Sequence, residues 1–144
     1  MRAAVWFRVT AGLMGLFAAG HTFGFLSFEP ATAEGRAVWA AMNSTHFSVG
    51  SSTFSYGGFY LGFGLTISAV QLFEAWLAWH LGSMARRGLR DARVIAWGMS
   101  VLQVIGFGLS WRYFSIEPAV LSLVTAVTLA MGAVSMRRVD TVAG

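Results

Sequence analysis

"YGGFYLGFGLTISAVQLFEAWLAWHLGSM", residues 56–84, decides the fold. Its only formally charged side chain is Glu74. About 20 apolar residues cross the hydrocarbon core of a bilayer as a helix, and this run is longer than that. Gly57, Tyr60, Gly64, Ser68, Gln71 and Ala75 follow one another at steps of three or four, so small and polar side chains share one face. Helices in lipid associate through such faces, because burying leucine against leucine gains nothing there. The glycines of "GGFYLGFGL" do not form a nucleotide loop. No strand precedes them, and a phosphate cradle needs a Gly-rich loop opening a helix in water. Close helix packing accounts for them instead, with Gly58 and Gly62 as a GxxxG pair.

Immediately after this run comes "ARRGLRDAR", residues 85–93, with Arg86, Arg87, Arg90 and Arg93 against a single Asp91. Three more apolar runs complete the pattern, at 3–28, 92–114 and 118–136. Arg2 precedes the first and Arg137 and Arg138 follow the last, whereas the connections at 29–55 and 115–117 hold only Arg36 beyond the Arg112 that borders the second. Seven arginines thus gather on one side and two on the other, leaving Arg8 inside a span. Basic residues stay on the cytoplasmic side of membrane helices, so both termini and the middle connection are expected in the cytoplasm. Ala18-Ala19-Gly20 also resembles a small-residue cleavage site of a signal peptide. Cleavage there would leave three spans and strand the second half in inverted topology, so four retained spans are expected.

Composition points the same way. Of 144 residues 56% are hydrophobic and 11% charged, with a mean hydropathy of +0.64. A soluble domain carries about a quarter charged residues, and less than half that supply cannot cover a surface facing water. Cysteine is absent, which removes disulfides, thiolate chemistry, iron–sulfur clusters and cysteine zinc sites. The formal charge of +4 comes with no lysine, and its arginines sit at the ends of apolar runs, not along a basic stripe. Nucleic acid is therefore not an expected partner.

The connection at 29–55 has its own organisation. Pro30 breaks the preceding helix, Thr32 is a suitable N-cap, and Glu34 falls in the first turn, where the helix dipole favours an acid. Val38, Trp39 and Met42 then share one face, which predicts a short helix on the outer membrane surface. "NSTHFSVGSSTFS", residues 43–55, reads as a loop folded back over the helix ends. Its Asn43-Ser44-Thr45 sequon has meaning only in a glycosylating host. The other spans carry small and polar faces too: Gly12, Gly15, Ala19 and Thr22; Ala96, Ser100, Gln103, Phe107 and Ser110; Ser122, Thr125, Thr128, Gly132 and Ser135. Four such faces on four antiparallel helices predict an all-α, integral-membrane four-helix bundle, a single domain with an interfacial helix in its first outer loop.

The ionisable groups inside the spans carry the functional questions. Glu74 lies about 15 Å along the helix from Met84, where an ionised acid costs on the order of 3 kcal/mol. Arg8 enters from the same end, so an Arg8–Glu74 ion pair is expected. A proton-handling or ligand-contacting Glu74 beside Gln71 and Gln103, or a protonated acid hydrogen-bonded within the bundle, are the alternatives. At the outer ends, His21, Tyr56, Tyr60, Arg112, Tyr113 and Glu117 come to one side, beneath the loop that holds His46. They outline an outward-facing pocket, although tyrosines also anchor helices at either interface and His21 can equally serve helix packing.

Haem is not expected, because paired axial histidines need similar depth and His21 and His80 lie at opposite ends. HxxxH, HExxH and GxSxG patterns are absent, so neither a metal nor a serine nucleophile is expected.

"GHTFGF" at 20–25, "AMNSTHF" at 41–47 and "SYGGFYLGFGL" at 55–65 resemble a family of small bacterial four-helix membrane proteins known mainly by this pattern. The resemblance is specific over the first half of the chain. It implies the fold and a bacterial inner-membrane location, and it carries no site residues.

Three functions are compatible with these residues. The first is binding of a membrane lipid or small apolar ligand near His21, Tyr60 and Arg112. The second is an accessory role, through small-residue faces meeting a second copy or a partner membrane protein. The third is a small membrane enzyme with His21 as acid/base and Arg112 holding an anionic group.

Overall fold

The computed structural model describes residues 2–136. Arg137 and Arg138, which count towards the charge bias, lie outside the described residues. Five helices and one β-hairpin follow in the order α1 (Arg2–Leu26), α2 (Ala33–Ser44), β1 (His46–Val49), β2 (Ser52–Ser55), α3 (Tyr56–Arg86), α4 (Asp91–Tyr113) and α5 (Ile116–Val134). Helices α1, α3, α4 and α5 are long and apolar enough to cross a membrane. The chain is a multi-pass membrane protein.

Its surface supports that assignment. Phe23, Val94 and Phe114 are each more than 70% exposed, whereas Glu74, Gln71, Gln103, Ser100 and Thr128 are each less than 9% exposed. Apolar outside and polar inside is the reverse of a water-soluble chain, which rarely shows an apolar patch of more than a few hundred Å².

The helix limits have local causes. α1 stops at Leu26, where Pro30 is near and the residue before a proline is driven out of the helical region. α5 starts two residues ahead of Pro118, not at it. A proline in the first turn loses only an N–H that has no partner in the helix anyway. α3 ends in a Schellman turn. Gly88 takes φ +72°, its N–H donates to Ala85 O at 3.2 Å, and Leu89 N donates to Met84 O at 3.2 Å.

The described chain groups into two compact units, Ala18–Gln71 and Met1–Phe17 with Leu72–Gly144; α1 and α3 contribute to both. In the second of these, α4 and α5 pack on each other. Phe7 and Ala11 of α1, Ala78 and Leu81 of α3, Ala96 and Met99 of α4, and Leu129 and Ala133 of α5 share one core. Gly132 exists to admit Phe7, since a Cβ there would overlap its ring. Most of each face foreseen on α4 and α5 is buried, with Ala96, Ser100, Gln103, Ser122, Thr125, Thr128 and Gly132 inside, while Phe107, Ser110 and Ser135 are half-buried. On α1 the expectation fails. Gly12 is exposed, and the buried side is Ala3, Phe7, Thr10, Met14 and Ala18.

The Ala18–Gln71 unit contains α2 with its hairpin. Thr32 caps α2 as expected, its Oγ1 accepting from Gly35 N at 3.0 Å. Residues 46–55 are not a loop but an antiparallel hairpin in register Val49↔Ser52, turned by Gly50 at φ +61° and Ser51. Two-residue hairpin turns need positive φ, which glycine supplies without steric cost. Phe47 anchors the hairpin against Tyr56 and Phe59, with ring centroids 4.8 and 5.5 Å apart. The GxxxG pair does not act as foreseen. Gly62 has open space beside it, and Gly57 and Gly64 make the close approaches, to Asn43 and Phe25.

Candidate functional site

Within the Ala18–Gln71 unit, α1 and α3 bring His21, Thr22 and Ser68 together. His21 Nδ1 lies 3.0 Å from Ser68 Oγ, and the Thr22 and Ser68 hydroxyls are 2.8 Å apart. Thr22 Oγ1 also donates to Ala18 O at 2.7 Å. The Thr22 hydroxyl is shared between Ala18 O and Ser68 Oγ, and where Ser68 Oγ donates to Gly64 O at 3.3 Å it accepts from His21 Nδ1–H. Alternatively Ser68 donates to His21 Nδ1, and the ring proton sits on Nε2. Either way Nδ1 is engaged, and Nε2 carries no hydrogen bond among the described residues. Fixing one ring nitrogen sets what the other can do, as acceptor or donor.

An aromatic run holds the imidazole in place. His21 stacks on Phe25 at 5.8 Å and 6°, and Phe25 meets Tyr60 at 5.1 Å. Tyr60 meets Trp39 of α2 edge-on at 5.8 Å, and Trp39 meets Phe28 at 6.1 Å. Phe25 is seated because Gly64 has no side chain; a Cβ there would overlap the ring. Gly20 and Gly24, beside His21 in sequence, make no such approach, since a Cβ on either meets nothing within 4 Å. His21 thus presents Nε2 from a half-buried ring beside an aromatic wall that is partly open, with Tyr60 43% exposed.

The other residues outlined from the sequence do not all join this group. Tyr56 belongs to the hairpin's aromatic cluster around Phe47. Arg112 and Glu117 belong to the other compact unit, where the Arg112 guanidinium lies 5.2 Å from the Tyr113 ring centroid and Glu117 sits in the first turn of α5. His46 is exposed, its Nδ1 2.8 Å from Ser44 O.

In the unit built from Met1–Phe17 and Leu72–Gly144, Glu74 is not paired with Arg8. Its Oε2 accepts from Gln103 Nε2 at 2.9 Å, and both residues are buried. Hydroxyls extend the polar interior. Ser100 Oγ donates to Ala126 O at 2.9 Å, Thr10 Oγ1 meets Thr128 Oγ1 at 2.9 Å, and buried Thr125 Oγ1 has no partner among the described residues. Gln71, in the other unit, keeps its Oε1 buried and without a partner among the described residues. Arg8 lies over Trp79, its Cζ 3.3 Å from the ring centroid, and its Nη2 donates to Ser83 Oγ at 3.3 Å. The physical reason is distance along the helix. Ser83 is only three residues short of the Arg86 terminus of α3, so a long side chain reaches a wetter level there than at Glu74.

Ser68, Phe25, Trp79 and Ser83 carry contacts that sequence reasoning did not assign to them. Ser68 already stood on the small and polar face of the second run, but its partner is 47 residues away. No group of three or more His, Cys, Asp or Glu able to hold a metal occurs among the described residues. Comparison of the chain with protein-family models, curated proteins and solved structures gives no match.

Proposed function

We propose that this chain is a bacterial inner-membrane protein that holds a lipid, or another apolar molecule with one hydrogen-bonding head group, at its outward end. The observation that carries this reading is the oriented imidazole: His21 Nδ1 is held by Ser68, the ring is stacked on Phe25, and Nε2 has no hydrogen-bond partner among the described residues. A single directional polar group beside aromatic rings suits a ligand that is apolar apart from one hydroxyl or carbonyl. Tyr60, next along the run, offers a second ring edge to the same ligand. Native mass spectrometry of the protein released from its own membrane is expected to retain a small-molecule adduct that His21→Ala and Tyr60→Ala lose. An adduct-free wild-type protein, or identical adducts on His21→Ala, overturns the reading.

The orientation rests on the arginine bias and the positive-inside rule. It puts both termini inside, with α2 lying at the outer interface and the hairpin outside. The chain has no cysteine of its own, so single introduced cysteines report topology cleanly. An impermeant maleimide is expected to label Ser51→Cys on intact cells and Leu89→Cys only after permeabilisation. The opposite pattern refutes the orientation.

A partner subunit is a second reading favoured by α1. Gly12, Gly20 and Gly24 each have open space where a Cβ would be, and small residues on lipid-facing helices admit another helix closely. A sharp monomer in mild detergent, with no co-purifying protein, would count against it.

A further inference from the structure

Two guanidinium groups converge on one hydroxyl between α1 and α3. Arg8 Nη2 and Arg86 Nη2 each donate to Ser83 Oγ, both at 3.3 Å. Neither arginine forms an ion pair among the described residues, and the charged neighbour acting on Arg8 is Arg86 itself. Arg8 Nε is buried without a hydrogen-bond partner among the described residues. Two like charges are thus held together around a single neutral oxygen, with donors left over.

The arrangement is built, not incidental to long side chains on a surface. Trp79 lies under the Arg8 guanidinium, whose charge the ring face attracts. Gly82 leaves room for the side chain to lie along α3; a Cβ there would stand 3.0 Å from Arg8 Nε and 3.3 Å from Ala4 O. Ser83 accepts both bonds and donates none among the described residues, so its O–H is a third available donor. Arg8 and Arg86 also line an open groove of about 470 Å³, together with Ala4, Val5 and Val9.

Phosphate is the group that answers this donor set. Its oxygens accept from two guanidiniums and a hydroxyl at once, and its charge cancels the repulsion between the arginines. The rest of the groove is aliphatic. Val5 and Val9 are 61% and 43% exposed on the same side of α1, a surface that suits an acyl chain and not water. Basic clefts between membrane helices recognise anionic head groups by this combination. We propose that the groove lined by Arg8 and Arg86, which meet at Ser83, binds the phosphate of an anionic phospholipid, with an acyl chain along Val5 and Val9. This site shares no residue with the His21 group and stands whether or not the reading of His21 holds.

The full-length protein in nanodiscs, with phosphatidylglycerol titrated into phosphatidylcholine, tests it by native mass spectrometry of retained lipid. Arg86→Gln is expected to weaken phosphatidylglycerol retention about tenfold, the loss of one charge-assisted contact. Gly82→Ala, which keeps both charges and displaces Arg8, is expected to weaken it several-fold. Arg87→Gln removes the same charge one residue further on and is expected to leave retention unchanged. Equal losses in Arg86→Gln and Arg87→Gln would reduce the effect to general surface charge and overturn the proposal. A parallel arm offers inorganic phosphate to the protein in phosphatidylcholine alone. Phosphate that binds there, and displaces phosphatidylglycerol at millimolar concentration, would assign the site to a free anion and overturn the lipid assignment. Arg8→Gln completes the series where it folds; Arg86 and Gly82 carry the test where it does not.

Discussion

Gly64→Ala tests the packing that positions His21. A Cβ at residue 64 overlaps three atoms of the Phe25 ring. If the ring stays, α1 and α3 are overpacked, which costs about 1–3 kcal/mol. If it turns away, its contacts with His21 and Tyr60 are both lost. Aromatic pairs contribute about 0.5–1.5 kcal/mol each, so this route also costs about 1–3 kcal/mol. Helix propensity acts in the other direction, favouring alanine over glycine by about 1 kcal/mol in water. Gly62→Ala separates the two effects, because a Cβ at residue 62 meets nothing within 4 Å. Unfolding in mixed micelles of mild detergent and dodecyl sulfate should therefore find Gly64→Ala less stable than Gly62→Ala by about 1–3 kcal/mol. Phe25→Leu combined with Gly64→Ala should recover part of that difference, since the smaller side chain relieves the overlap. Equal stability of the two alanine variants, or strict additivity in the double variant, would refute this account of how α1 and α3 meet.

Other expected outcomes follow from single contacts. Gln103→Leu leaves buried Glu74 without its donor and should cost about 1–3 kcal/mol in the same assay, whereas Glu74→Leu with Gln103→Leu should restore most of it. Loss in the double variant equal to or greater than in Gln103→Leu would argue that Glu74 has a further buried partner. Thr32→Ala removes the cap on α2 and should cost about 1 kcal/mol, read as faster hydrogen exchange at Gly35. Gly50→Val forces a β-branched residue to φ +61° and should open the hairpin, read as lost protection at Phe47 and Phe54; Gly50→Asn should retain it.

Much of the architecture was legible before any coordinates. Hydropathy sums over a window, so the four long apolar runs survive whatever the helices touch, and their observed limits differ from expectation by only a few residues. The Thr32 cap was equally readable, because capping is a contact three residues long. The hairpin at 46–55 was missed although its signal was present. Gly50-Ser51 separates two short alternating runs, but their abundance of serine and threonine suggested a loop.

The site was legible in type and not in pairing. His21 stood out as an ionisable group in an apolar run, and Ser68 as part of a small and polar face. Their contact depends on how two helices meet in space. Arg8 and Glu74 were matched by charge and depth, yet Glu74 takes an amide and Arg8 takes an indole face and a hydroxyl. Opposite charge sets an attraction, but a side chain joins the partner that helix rotation brings within reach.

The sequence by itself determined that this chain has four helices long and apolar enough to cross a membrane, and where along the chain each begins and ends. Those are properties of consecutive residues against a solvent slab of known thickness. Only the tertiary structure decided which side of α1 faces inward, that Gly64 and not Gly62 admits a neighbour, and that two arginines share Ser83. The reason lies in the solvent. In water an outward face must be polar, so periodicity reveals rotation; in lipid both faces of a helix can be apolar, and rotation is set by the shapes that fit together.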